Sequence, residues 1–306
     1  INKYKHDENN PYSINSDGVY DIFSDENKVW IATYGDGVSF YEQSLSLVNN
    51  ITHQINTKNS LVNNNVNSVI EDKYGNLWFA TDNGVSCWDR ASNKWTNFYN
   101  NIEKQALVFL ALAEDDEGNV WAGSYSSGVY VIDIKTKREI AHYSYEKDKE
   151  NFTCKFILDI FKDSEGDLWI GGSTSGDMLC YLAKEKRFKK YDYQPVISFY
   201  ELEPGKMLLA CTHGMVLLDK ETGDNEIFLL GHIVQDIHVD ERELWVATSG
   251  DGLVRYDLIG SDIKYLMKKD GLLSDFVNSI IKINNNLWVG TEAGLSQLYD
   301  GRDSIT

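Results

Sequence analysis

The chain reads as short apolar runs separated by tight polar turns, and the pattern recurs. Its sharpest element sets a large aliphatic residue before tryptophan, then small residues, a polar turn and a glycine. It runs VWIATYGDGV (29–38), LWFATDNGV (77–85), VWAGSYSSGV (120–129), LWIGGSTSGDM (168–178), LLACTHGM (208–215), LWVATSGDGL (244–253) and LWVGTEAGL (287–295), seven copies in all. The second position holds Trp30, Trp78, Trp121, Trp169, Leu209, Trp245 and Trp288. From Trp30 to Trp288 is 258 residues over six steps, a mean period of 43. Upstream of each copy lies an apolar-x-x-apolar run: VYDIF (19–23), VNSVI (66–70), FLALA (109–113), ILDIF (157–161), VISFY (196–200), VQDIH (234–238) and VNSII (277–281). An acidic or Asn-rich turn such as EDKYGN (71–76) or KDSEGD (162–167) joins the two. The glycine opens a third run, as in GVSCWD (84–89), GLVRYD (252–257) and GLSQLY (294–299). A weaker fourth closes each unit, as in FKKY (188–191) and IKYL (263–266).

Short runs bounded by Gly, Asn and Asp predict strands, and D-x-x-G-N between two of them predicts a hairpin loop whose glycine takes a positive φ. Four short strands cannot bury an apolar face alone, whereas stacked copies can. Period and strand count match a β-propeller blade. The expected fold is therefore all-β: a single closed seven-bladed β-propeller with four antiparallel strands per blade. Its blades fall at about 14–53, 61–99, 106–143, 155–191, 195–229, 233–265 and 272–300. The last copy has only three strands, and INKYK (1–5) matches the pattern of FKKY, so residues 1–5 should complete the last blade. That closure removes two exposed sheet edges. Trp30, Trp78, Trp121, Trp169, Trp245 and Trp288 are expected as structural wedges between adjacent blades.

Composition narrows the partners. Net charge is −18, so phosphate backbones are repelled and nucleic acid is not an expected partner. Strongly anionic ligands are disfavoured too, unless a local basic patch overrides the mean field. There is no run of 18 apolar residues and no signal-type N-terminal segment, so no membrane contact is expected of this stretch. The opening INKYKHDENN reads like the interior of a longer protein, and a mature or excised fragment is expected.

The unit VNSVIEDKYGNLWFATDNGVSCWD (66–89) resembles the two-component regulator propeller repeat, whose usual form is an apolar inner strand, E-D-x-x-G-N-L-W-[IV]-G-T, then G-L and an aromatic-Asp pair. DGLLSDFVNSIIKINNNLWVGTEAGLSQL (270–298) is similar to it as closely, and NPYSINSDGVYDIF (10–23) resembles the usual lead-in to a blade. The fifth copy departs from the pattern, lacking both the Trp and the D-x-x-G turn. The resemblance implies the periplasmic sensing part of a membrane-anchored hybrid two-component sensor histidine kinase, many of which respond to polysaccharide breakdown products. It also implies an adjacent propeller and downstream domains of the parent as partners, and allows a homodimer. The expected role is ligand sensing or signal transmission without catalysis, and no cofactor or metal is expected.

In a propeller, the loops after the second strand and those leading into the first share one face around the central channel. Here they carry Tyr34, Asp36, Asp82, Asn83, Tyr125, Ser126, Thr174, His213, Asp251 and Glu292, with Tyr12, Asn64 and Phe276 from the lead-in loops. Carboxylates, amides and hydroxyls beside aromatic rings suit a neutral oligosaccharide: polar groups meet hydroxyls and rings stack on C–H faces. The same residue types also make ordinary polar loops. Two alternatives stand beside a sugar-binding mouth. One is a non-catalytic interaction or dimerisation scaffold. The other is a channel-mouth lyase using His213, Asp251 and Glu292 from consecutive blades.

The acid-rich turns EDDEG (114–118) and KDSEGD (162–167) lack the alternating ligand pattern of a calcium loop. Cys87 and Cys180 occupy one slot in blades 2 and 4, too far apart for a disulfide, and read as buried thiols. A Cys154–Cys211 pair is conceivable. Cys211 stands where most copies have Thr or Ser, and His213 falls in the mouth loop before Gly214. That makes His213 a ligand-contact candidate and the Cys–His couple a poor nucleophile–base pair.

Overall fold

The computed structural model describes residues 1–25, 28–42, 47–100, 106–173, 178–193, 195–240, 243–259 and 262–299. Each apolar-x-x-apolar run forms the innermost strand of a four-stranded antiparallel sheet: Val19–Ser24, Val66–Glu71, Phe109–Glu114, Ile157–Lys162, Val196–Glu203, Val234–Asp240 and Val277–Ile283 in blades 1 to 7. The Trp-bearing run is the second strand: Lys28–Thr33, Leu77–Thr81, Asn119–Ser124, Leu168–Gly172, Lys206–Cys211, Glu243–Thr248 and Asn286–Thr291. Third and fourth strands follow outward in the same order in blades 1 to 6. Each innermost strand touches those of both neighbours, including blade 7 against blade 1, so the seven sheets form a closed ring. In blade 7 the outer strand is Asn2–Tyr4, paired with Gly294–Tyr299 through Asn2↔Gln297, Lys3↔Ser296 and Tyr4↔Leu295. Tyr4 stacks on Trp288 at 5.6 Å and donates its hydroxyl proton to Gln297 Oε1 at 3.0 Å. The N-terminal run thus completes the last blade.

The core lies between blades. Every second-strand Trp faces the innermost strand of the next blade. Trp30 meets Val66 and Val69, Trp78 meets Phe109 and Leu112, and Trp121 meets Ile157 and Ile160. Trp169 meets Val196 and Phe199, Trp245 meets Val277 and Ile280, and Trp288 meets Val19 and Ile22. The six are the expected wedges, each burying on the order of 200 Å².

Their indole nitrogens are held from the turn. Nε1 of Trp30, Trp78, Trp121 and Trp169 donates to Asp25, Asp72, Asp115 and Asp163 at 3.1, 2.8, 2.8 and 2.9 Å. The same aspartate closes the hairpin: Asp72 Oδ1 accepts from the N–H groups of Tyr74 and Asn76, while Gly75 turns with φ +79°. Blade 7 has no aspartate in its turn, and Trp288 Nε1 is buried without a partner.

Blade 5 corrects the alignment of the fifth copy. Tyr200 pairs with Leu208 as Ile70 pairs with Trp78, and Val196 pairs with Cys211 as Val66 pairs with Thr81. The Trp position is therefore Leu208, which faces blade 6, while Leu209 faces blade 4. A one-residue shift moves a side chain to the opposite face of a strand. The turn retains Gly205 at φ +81° but has Leu202 in place of the aspartate. Without an indole N–H to bind, a carboxylate there would be buried without use, and Leu202 packs instead in the blade 5–6 core.

Candidate functional site: the channel mouth

In all seven blades the innermost strand carries a β-bulge one residue after it begins. The register skips Tyr20, Asn67, Leu110, Leu158, Ile197, Gln235 and Asn278. A bulge leaves its residue unpaired and re-aims the side chain. These positions lie beside the loops that follow the second strands, at the mouth end of the ring. In blades 6, 7, 1 and 2 they are polar or aromatic: Gln235, Asn278, Tyr20 and Asn67. In blades 3, 4 and 5 they are Leu110, Leu158 and Ile197. The mouth rim is thus polar on one side and apolar on the other.

Tyr20 is the centre of the polar side. Its ring lies 5.5 Å from that of Tyr34. Burial pushes its hydroxyl above the ordinary tyrosine range, helped by Tyr34, by Asp82 of blade 2 and by Glu292 of blade 7. Three predicted residues therefore converge on a fourth that sequence reasoning missed. The available signal was an aromatic inside the first apolar run, a position read only as strand. Asp82 is oriented by Asn65 Nδ2 at 2.8 Å and Asn67 Nδ2 at 2.9 Å. Asn67 also donates to the Phe109 carbonyl of blade 3, and Asn278 donates to the Val19 carbonyl of blade 1, so bulge amides tie neighbouring blades together.

The other predicted residues are distributed. Asn83 is half-buried and its N–H donates to Thr81 Oγ1. Asp36 is exposed, and its carbonyl accepts from Asn15 Nδ2. Phe276 is 46% exposed, and its carbonyl accepts the Glu292 N–H at 3.4 Å. Tyr125 stands toward blade 4, its ring 5.3 Å from that of Phe156. Thr174 lies outside the described residues. His213 is exposed and bonded to Thr212 Oγ1 at 2.9 Å. Asp251 Oδ2 meets His232 Nδ1 at 2.9 Å, and His232 Nε2 meets Tyr265 OH at 3.2 Å. His213, Asp251 and Glu292 thus each have a different neighbour, and among the described residues no hydrogen bond or ion pair joins any two of them. Cys211 is buried against blade 4, and burial pushes its thiol up to about 12. Cys87, Cys180 and Cys211 are free thiols, so the Cys154–Cys211 pair does not form.

One layer below the rim, the third residue of each innermost strand is Asp21, Ser68, Ala111, Asp159, Ser198, Asp236 or Ser279. The three aspartates bridge blades. Asp21 takes the N–H groups of Ile22 and Val69, Asp159 those of Ile160 and Phe199, and Asp236 those of Ile237 and Ile280, at 2.8–3.2 Å. Burial raises all three carboxyls, Asp159 to about 6 and Asp236 to about 7, with Asp21 adding to both.

Among the described residues, one group has metal-ligand geometry: Asp163, Glu165 and Asp167 of the blade 4 turn. It is filled by the Lys220 ammonium from blade 5, at 2.6, 2.7 and 2.8 Å. The carboxylates hold Lys220 well above the ordinary lysine range despite burial, which opposes them. This turn is a structural ion-pair centre.

The fold is that of a seven-bladed β-propeller whose mouth carries polar and aromatic side chains on one side. The family model described as a two-component regulator propeller matches residues 60–83 and 151–174. Among curated proteins nothing matches. Of solved structures, it is similar to the extracellular domain of a protein described as a hybrid two-component system from B. thetaiotaomicron, with 22% identity and TM-score 0.80, over 97% of this chain and 41% of that one. A second extracellular domain from the same organism, described as that of a one-component system, matches at 15% identity and TM-score 0.74, over 97% and 39%. The chain spans about two fifths of those structures. A catalytically inactive virginiamycin B lyase from Staphylococcus aureus, solved with quinupristin, shares the fold at 13% identity and TM-score 0.72, over 93% and 95%. Among the described residues no helix is long and apolar enough to cross a membrane.

Proposed function

We propose that this propeller is the extracytoplasmic sensing module of a two-component system, periplasmic in a membrane-anchored receptor, and that its mouth binds a neutral oligosaccharide. The repeat family and the extracellular-domain likenesses support the setting. The observation that carries the binding role is the Tyr20 centre, where the Tyr20 and Tyr34 rings lie together and the Asp82 and Glu292 charges act on the Tyr20 hydroxyl, on the polar side of the rim. Rings accept sugar C–H faces, carboxylates accept hydroxyl protons, and the local negative charge disfavours an acidic ligand there. The mouth is a rigid ring, so binding acts on the receptor through the joints around it, by differential affinity for two arrangements. A panel of neutral oligosaccharides in calorimetry tests this. At least one should bind, and Tyr20→Ala should remove that binding while leaving the melting temperature nearly unchanged. No response from any neutral glycan would refute the direct-binding role.

A partner-surface role has its own support. Ile227 and Ile263, on the outermost strands of the adjacent blades 5 and 6, are exposed, as are Leu230, Ile233 and Ile259 in the nearby loops. Such an apolar margin suits contact with an adjacent domain or a second copy. Sedimentation of the wild type and of an Ile227→Asp, Ile263→Asp variant tests self-association.

A further inference from the structure

A cavity of about 330 Å³ lies on the seam between blades 3 and 4, away from Tyr20. A second, of about 300 Å³, shares His142, Ser144 and Lys147 with it. We propose that this seam binds an acidic sugar unit, one bearing a carboxylate or sulfate, with the Lys147 and Lys155 ammoniums as the anion's partners. The site runs outward from the blade 3 mouth loop, away from the Tyr20 centre on the other side of the rim, and goes beyond the reading above, sharing with it only the premise that the ligand is a glycan.

The charges are the first argument. His142 Nε2 lies 2.7 Å from the Ser127 carbonyl oxygen, and only an N–H can meet a carbonyl. Nε2 therefore carries the ring proton, and Nδ1 is a lone pair that accepts from Lys147 Nζ at 2.7 Å. This holds the ammonium in place without neutralising it. The His142 ring is itself fixed by stacking on Tyr130 at 3.8 Å. Lys155 Nζ sits 4.1 Å over the Tyr145 ring, which again orients a cation and leaves its charge intact. Among the described residues neither ammonium has a carboxylate within ion-pair distance, whereas Lys162, Lys206, Lys220 and Lys282 each do. In a chain of net charge −18, two unneutralised ammoniums facing one cavity form a local positive well.

The rest of the lining selects the body that carries the anion. Ser126 and Ser127 bring hydroxyls, while Tyr145 and Phe156 bring aromatic faces. That combination suits a pyranose ring better than a free inorganic anion. Beyond Lys147 the second cavity offers Phe152 and Phe188, so the seam has room for more than one sugar unit; its Arg187 is paired with Glu185, and its Asp148 carboxylate, like Glu146, opposes an anion there. Glu146 is the carboxylate among the first cavity's lining residues, and it opposes the proposed ligand.

Calorimetry with defined disaccharides tests the proposal: one uronate-bearing, one sulfated, and the neutral counterpart of each. The proteins are the wild type, Lys147→Gln/Lys155→Gln, Glu146→Gln and Tyr20→Ala, with melting curves to confirm that each is folded. The expected result is binding of an acidic disaccharide that weakens about tenfold or more in the double lysine variant. It should tighten in Glu146→Gln, fall with salt and be unaffected by Tyr20→Ala. Loss in Tyr20→Ala with no change in the lysine variant would place the anion at the mouth and overturn the proposal. Binding of neutral sugars alone would overturn it while leaving the mouth reading intact. Acidic binding at the seam with no neutral binding anywhere would do the reverse. If only the uronate or only the sulfate binds, the anion is identified and the proposal stands. Absence of binding by either acidic sugar would overturn it.

Discussion

Trp78 Nε1 donates to Asp72 Oδ2 at 2.8 Å, across the hairpin that joins the two inner strands of blade 2. The bond makes core and turn interdependent, and blade 5 lacks both members, with Leu208 and Leu202 in their places. Trp288 keeps the indole but has no acceptor. Trp78→Phe and Trp288→Phe remove similar apolar bulk, but only the first also breaks a hydrogen bond to a charged group. Trp78→Phe should therefore cost about 1–3 kcal/mol more than Trp288→Phe in denaturant unfolding. Equal costs would show that the bond contributes nothing to stability.

Asp159 and Asp236 ionise in the folded protein at about 6 and about 7, above the ordinary carboxyl value that the unfolded chain retains. Between about pH 4 and 7 the folded state thus holds more protons than the unfolded one, and stability falls as pH rises through that window. Buried His238, whose proton affinity is lowered, works the other way but is one group against three raised carboxyls, Asp21 included. The melting temperature should be higher at pH 5 than at pH 8. Asp21→Ser, which copies the residue of blades 2, 5 and 7, should shift the decline to lower pH, because the Asp21 charge raises both partners. A melting temperature that rises from pH 5 to pH 8 would contradict this.

Lys220 occupies the centre of three carboxylates. Lys220→Met should leave them facing one another and cost about 3–5 kcal/mol. Calcium, which takes clustered carboxylate oxygens, should then raise the melting temperature of the variant and leave the wild type unmoved. A variant indifferent to calcium would show that the turn opens once the lysine is gone.

Deletion of residues 1–5 removes the outer strand of blade 7 and the ring that covers Trp288. The bared edge of Gly294–Tyr299 should lower the melting temperature and promote self-association, visible in size-exclusion chromatography. A truncated chain that stays monomeric and equally stable would mean that closure lies elsewhere.

The propeller was legible because the large wedge and the hairpin glycine recur in nearly every blade. Blade 5 was misread by one residue because, with Trp absent, three consecutive aliphatics at Met207, Leu208 and Leu209 fit either register. Tyr34, Asp82 and Glu292 could be placed at the mouth by counting from the Trp. Tyr20 could not, because a bulge is a change in pairing that leaves no mark in an apolar run. The Lys147–His142 pair was equally hidden, since its members meet by the folding of a loop rather than by spacing.

The split rim has a further consequence. A ring of seven equal blades would offer a ligand seven equivalent rotational poses and so could not tell one end of a chain-like molecule from the other. Tyr20, Asn67, Asn278 and Gln235 on one side, against Leu110, Leu158 and Ile197 on the other, would leave a ligand bound at the mouth a single favoured heading. Selecting one pose of seven costs an orientational entropy of only about 1 kcal/mol. For that small cost a near-symmetric scaffold that binds its ligand there would acquire a compass.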